Sequence, residues 1–255
     1  MTAHVALVSI SPAGADLARR TEVAAHIAAA HADAVDREAR FPAEAAATLR
    51  AERLMGILVP TDLGGEDATI GEVVDICYAL GRACASTAMI FAMHQIMMAI
   101  LVRHGRGSAW HQGLLRRICA EQWLIASSTT DGMGGGDLRA SACAVTPAGP
   151  AGGRISLKKD AAVMSYGAEA DAILTTARRA PDAGAADQVL VALAHGDYQL
   201  ERTVAWDALG MRGTCSAGFM LTAEGEPEQV VPVPYQRIHA QSMMPVAHLT
   251  WSGVW

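Results

Sequence analysis

The residues best equipped for chemistry lie in one run. Ser127, Ser128, Thr129, Thr130 and Asp131 lead into Gly132, Gly134, Gly135 and Gly136, closed by Asp137. Hydroxyls and an acid followed by glycines bring bare backbone N–H groups close to a ligand, because glycine leaves no side chain in the way. The competing reading is a solvated connection between two structured regions. A second candidate is His94, which interrupts the apolar run Met89–Val102. It is either a polar group beside a buried ligand or a hydrogen-bonded core histidine. Other chemistries lack their residues. No HExxH or CxxC spacing occurs for a metal, no GxSxG for a hydrolase elbow, and no GxGxxG in a βαβ setting for a dinucleotide. The five cysteines, Cys77, Cys84, Cys119, Cys143 and Cys215, read as small buried hydrophobes in a reducing cytosol.

Two kinds of texture flank the hydroxyl–glycine run. Before it the chain is Ala-rich with helical spacing, and helices are predicted over 16–35, 42–52, 69–82, 86–104 and 109–120. On the third, Ile70, Val73, Val74, Cys77 and Leu80 share a face. Residues 89–102 are too short a run to span a membrane and read as a core helix. After Glu121, short apolar runs are predicted as strands over 123–127, 140–146, 154–157, 172–177, 188–194, 198–204 and 218–222, separated by Gly/Pro turns. The last stretch, 239–255, reads as a strand exit followed by the opening of a helix. The fold class is therefore α+β: a helical domain over 1–122, a small β-barrel or sandwich over 123–238, and the start of a further helical domain over 239–255.

With 51% hydrophobic residues in 255, the chain can bury a sizeable core. A net charge of −6, scattered arginine pairs and 5% aromatics argue against nucleic-acid binding, which needs clustered cations and stacking platforms. The N-terminus lacks the basic region of a secretory leader, so a cytoplasmic location is expected.

Four segments in this order resemble the acyl-CoA dehydrogenase family of flavoproteins. They are Leu54–Gly65 (LMGILVPTDLGG), Thr130–Asp137 (TDGMGGGD, against TEPGAGSD), the stretch 153–171 with Val163-Met164-Ser165 in place of W-I-T/S, and Trp206–Gly213 (WDALGMRG, against LGMRG). The resemblance implies bound FAD, an acyl-CoA substrate, an electron-transfer flavoprotein or other acceptor as partner, and a homo-oligomer. It implies that Ser127, Thr129 and Thr130 face the flavin pyrimidine. Donors there stabilise the charge that grows on flavin reduction. It further implies that Val163 and Ser165 lie at the flavin edge, with Ser165 reaching N5 and Thr214 and Ser216 close by, and that His94 and Gly136 border the substrate. The chain departs from the pattern at four places. Asp131 stands for Glu, Gly132 for Pro, Gly136 for a substrate-contacting Ser, and Val163 for the aromatic that covers the ring. The glutamate base of that family belongs to a C-terminal helical bundle, so it is expected beyond residue 255. Two alternatives stay open: a flavin-dependent monooxygenase of the same fold fed with reduced flavin by a partner, and a non-catalytic remnant or partner subunit.

Overall fold

The computed structural model describes residues 12–131 and 139–255. Gly132, Gly136 and Asp137 of the hydroxyl–glycine run lie outside them.

A helical N-terminal domain precedes a sheet-containing one. Five helices come first: α1 (Pro12–Arg37), α2 (Ala43–Ala51), α3 (Ile70–Ala83), α4 (Ala85–Ile100) and α5 (Ala109–Glu121). Local signals set the start of α3 and the end of α5. At α3, Thr69 and Glu72 form a reciprocal capping box, with the Glu72 amide on Thr69 Oγ1 at 3.2 Å and the Thr69 amide on Glu72 Oε2 at 2.7 Å. At the end of α5, Gln122 takes a left-handed conformation, and its side chain donates to Cys119 O (2.7 Å) and accepts from Met55 N (3.1 Å). That turns the chain out of the helices and into the sheet.

α4 continues through a π-helical turn, Leu101–Gly105. The combined helix, Ala85–Gly105, is long and apolar enough to cross a bilayer. Here it forms the core instead: Phe91, Ala92, Met98 and Ile100 are fully buried among α3, α7 and β1. Such all-round hydrophobicity marks a helix surrounded by protein.

Among the described residues, seven strands form two sheets. The first has the order β1-β4-β5, with β1 (Ile125–Ser128) parallel to β4 (Ala172–Arg178) and β4 antiparallel to β5 (Gln188–Ala194). The second has the order β2-β3-β7-β6, all antiparallel: β2 (Thr146–Ala148), β3 (Arg154–Ala161), β7 (Gly218–Gly225) and β6 (Tyr198–Val204). β4 and β5 are buried almost throughout, whereas β3 alternates, with Ile155, Leu157, Lys159 and Ala161 turned inward.

Two expectations need correction. Of the strand expected over 140–146, residues 140–145 form none. Ala142 N is taken by Asp131 Oδ2 (2.7 Å), and only an isolated bridge at Ala144 meets Arg178 before β2 starts at Thr146. The segment after 238 is no strand exit either. The chain is already helical at α6 (Tyr235–Ile238), passes a π-helical turn at His239–Met243 and continues as α7 (Met244–Val254). α7 packs on α3 and α4, and Gly81 and Gly253 make the close approach possible. A Cβ at Gly81 would collide with the Val254 carbonyl, and one at Gly253 would sit 2.8 Å from Val74 O.

Candidate active site

β1 is short, yet side chains from α4, β3 and β4 and from the loop residues Tyr166 and Asp171 hold it. At its start, Asp171 Oδ2 accepts from Leu124 N (2.7 Å) and from Arg50 Nη2 of α2 (2.8 Å). One residue on, Ile125 N donates to His94 Nδ1 (3.0 Å), and Ile125 O accepts from Tyr166 Oη (3.1 Å). Leu124 faces β4, since its carbonyl accepts from Asp171 N at 2.9 Å. Strand alternation then turns Ile125 to the opposite edge and Ser127 to that same open edge. Among the described residues nothing bonds the Ser127 backbone there. Ser127, Thr129 and Thr130 are half-buried, and no described residue bonds their hydroxyls. Among the described residues, the N–H and C=O of Ser127 are thus left unpaired at that edge, near the hydroxyls of Ser127, Thr129 and Thr130.

The far end of β1 is fixed by Lys159. Its side chain is wholly buried, and Nζ donates to Ser128 O, Thr176 O and Thr176 Oγ1, each at 2.9 Å, with Asp131 Oδ1 at 3.2 Å. Burial pushes the Lys159 ammonium below its usual pKa, and Asp131 only partly opposes this. Thr175 Oγ1 also donates to Ser128 O, at 3.1 Å. The Lys159–Asp131 pair escaped the sequence reading. Its signal was the inward alternation Ile155, Leu157, Lys159, Ala161: an ammonium on a core face must find an anion or several carbonyls.

The segment from Lys159 to Tyr166 therefore lies along β1, tied to Ser128 at one end and to Ile125 at the other. Ser127 lies on β1 and Thr129 and Thr130 just beyond its end, while Val163 and Ser165 lie within the segment so tied. Val163 is an apolar side chain left 47% exposed. Ser165 is half-buried and stands at the outer end of a hydroxyl chain. Its Oγ is 2.8 Å from Ser216 Oγ, which is 2.7 Å from Thr214 Oγ1, which donates to Met211 O at 2.8 Å. Ser216 and Thr214 are buried.

His94 is placed differently from the ligand-side expectation. It is fully buried, Nδ1 accepts from Ile125 N, and Nε2 donates to Met55 O at 2.8 Å. Both ring nitrogens are consumed within the chain, so neither can bind substrate. Burial holds the ring neutral, its pKa lowered to about 4. His94 is the core histidine, and it joins the connector at Met55 to the start of β1. Gly136 lies outside the described residues. No group of three His, Cys, Asp or Glu able to hold a metal occurs among them.

Residues 16–122, the helical part of the chain, match the model of the acyl-CoA dehydrogenase N-terminal domain family. The chain also shares its fold with solved structures over more than nine tenths of its length. FMN-bound TdsC from Paenibacillus sp. A11-2 superposes with a TM-score of 0.77 over 92% of this chain and 61% of that one, at 19% identity. KijD3 in complex with dTDP gives 0.78 over 97% and 63%, at 22% identity. The methanesulfinate monooxygenase MsuC from Pseudomonas fluorescens gives 0.76 over 96% and 60%, at 17% identity. The chain thus spans about three fifths of the length of the solved structures it matches. No curated protein matches its sequence.

Proposed function

We propose that the intact protein is a flavin-dependent monooxygenase that works on flavin delivered in reduced form, with this chain forming the flavin-facing half of its site. The observation that carries the reading is the open β1 edge. N–H and C=O groups alternating at Ser127 suit the pyrimidine end of a flavin, where two carbonyl oxygens flank an N–H. Thr129 and Thr130 add hydroxyl donors towards the same end. A flavin bound there supplies redox chemistry that no side chain of this chain possesses. The residues named orient it: Ser127, Thr129 and Thr130 at the pyrimidine, Val163 and Ser165 at the ring edge. Lys159 and Asp131 hold the strand end that presents them.

Three things favour oxygenation over dehydrogenation. Solved structures of this fold include the monooxygenases TdsC and MsuC, and the flavin in the TdsC and KijD3 complexes is FMN. Val163 leaves the ring edge without an aromatic cover. His94, the polar group expected beside an acyl pocket or flavin, is consumed in the core. On this reading the flavin is FMN rather than FAD, and a flavin reductase supplies it. The protein is a cytoplasmic homo-oligomer, and all five cysteines are free. The dehydrogenase reading, with FAD, acyl-CoA and an electron-transfer flavoprotein, keeps one specific support, the family match over 16–122.

Two assays on the intact protein separate them. Chemically reduced FMN should drive substrate-dependent oxygen uptake. Adding acyl-CoA thioesters to the FAD-loaded protein under anaerobic conditions should leave the flavin absorbance unchanged. Bleaching of the flavin by an acyl-CoA would overturn the monooxygenase reading.

A further inference from the structure

The hydroxyl chain behind Ser165 has a fixed direction, which follows from counting protons. Each hydroxyl has one hydrogen to donate, and a carbonyl has none. Three short contacts run in series: Ser165 to Ser216 at 2.8 Å, Ser216 to Thr214 at 2.7 Å, and Thr214 to the Met211 carbonyl at 2.8 Å. Three hydroxyl hydrogens serve three contacts. Met211 O can only accept, so Thr214 must donate to it. Thr214 has then no hydrogen left for Ser216, so Ser216 donates to Thr214. Ser216 is likewise spent, so Ser165 donates to Ser216. Any other assignment leaves two oxygen lone pairs facing each other below 3 Å in a buried site, where an unmade hydrogen bond is costly.

The chain's inner anchor is firm. Met211 O also receives Trp206 Nε1 (3.2 Å) and the Thr214 amide (3.1 Å). Tyr166 N donates to Thr214 O at 2.8 Å, and Met164 N to Ala217 O at 2.9 Å, which locks the 164–166 segment against 214–217. Thr214 and Ser216 are 3% and 5% exposed, so water does not compete for their hydrogens. Ser165, half-buried, is the one member open to a ligand, and its hydrogen points away from that ligand.

We infer that Ser165 Oγ is an acceptor-only contact that selects the reduced flavin. This inference rests on the proposed flavin site, with Ser165 against the central ring nitrogen. In oxidised flavin that nitrogen carries a lone pair and no hydrogen, and it would face the Ser165 lone pairs. In reduced flavin it carries N–H, a donor that Ser165 can accept. The same serine with a free hydrogen would serve either state. Thr214 and Ser216 thus act as positioning residues: they touch no ligand, yet they set the polarity of the group that does. A protein that receives its flavin already reduced needs this preference, whereas one that must first bind oxidised flavin does not.

The test is the redox dependence of flavin binding by the intact protein, read by anaerobic titration with oxidised and dithionite-reduced FMN. The wild type should bind reduced FMN more tightly by on the order of tenfold, the worth of one hydrogen bond gained against one repulsion. For a two-electron couple that tenfold raises the midpoint potential of bound flavin by about 30 mV. Thr214→Val removes the inner acceptor of the chain. Ser216 can then turn its hydrogen to Ser165, and Ser165 can donate outward, so the preference should fall to about onefold to twofold. Thr214→Ser keeps the hydroxyl and should keep the preference. Ser216→Ala frees Ser165 by a second route and should match Thr214→Val, which guards against a folding defect in either variant. Flavin bound with the same redox ratio in the wild type, Thr214→Val and Ser216→Ala would overturn the inference and leave the flavin site standing. Absence of binding in either redox state would overturn both.

Discussion

Replacing Lys159 by Met removes a charge from the centre of the sheet-containing half without leaving a large void. Its ammonium is the shared partner of Ser128 O, Thr176 O, Thr176 Oγ1 and Asp131. In Lys159→Met the Asp131 carboxylate stays buried, with Ala142 N as its remaining hydrogen bond. Removing one member of a buried pair costs about 3–5 kcal/mol, mostly because the other charge is stranded. The double variant Lys159→Met/Asp131→Leu strands no charge, although Ala142 N loses its acceptor. Burial already holds the Lys159 pKa below normal in spite of Asp131, so desolvation outweighs attraction in this pair. The double variant should therefore lie within about 1–2 kcal/mol of the wild type, with a coupling energy of at least about 2 kcal/mol. Urea unfolding of all four proteins at a common m-value measures this. A cost below about 1 kcal/mol for Lys159→Met, or a double variant as unstable as the two single losses added together, would refute the reasoning.

Two further outcomes follow from the packing. His94 binds its proton at about pH 4 in the fold and near 6.5 when unfolded, so the unfolded state takes up more protons between these values and stability falls as pH drops through that window. The loss reaches about 3 kcal/mol, and in His94→Gln the pH dependence of the urea midpoint should flatten there; an unchanged slope would contradict it. Gly81→Ala forces a methyl group into the Val254 carbonyl, and should cost about 1–3 kcal/mol and loosen α7, seen as faster amide exchange over 246–254 with α5 unaffected.

Much of this was legible in the sequence because period and punctuation are local. The helices of the first half and most strands of the second fall where spacing, proline and glycine place them, and β5 and β6 match residue for residue. What escaped depends on long-range partners. Residues 140–146 have strand-like composition, but Asp131, eleven residues back, takes the Ala142 amide and breaks the ladder. Residues 239–243 lack a helical stripe because the helix there widens to a π-turn, where His104 meets Ser242 at 2.9 Å. At the site, the hydroxyls of β1 and Ser165 could be named from their types and motif context. The role of His94 could not, since it depends on Met55 and Ile125, both distant in sequence, and neither could the direction of the Ser165–Ser216–Thr214 chain.

The central claim is that the open edge of β1 and its hydroxyls receive a flavin. Anaerobic fluorescence titration of the intact protein with reduced FMN, beside a Thr129→Val/Thr130→Val variant of unchanged thermal stability, tests it most directly. The account predicts saturable binding in the wild type and affinity at least about tenfold weaker in the variant, the loss of two hydrogen bonds. Equal affinity in the two proteins, or no saturable binding of FMN or FAD in either redox state, would contradict it.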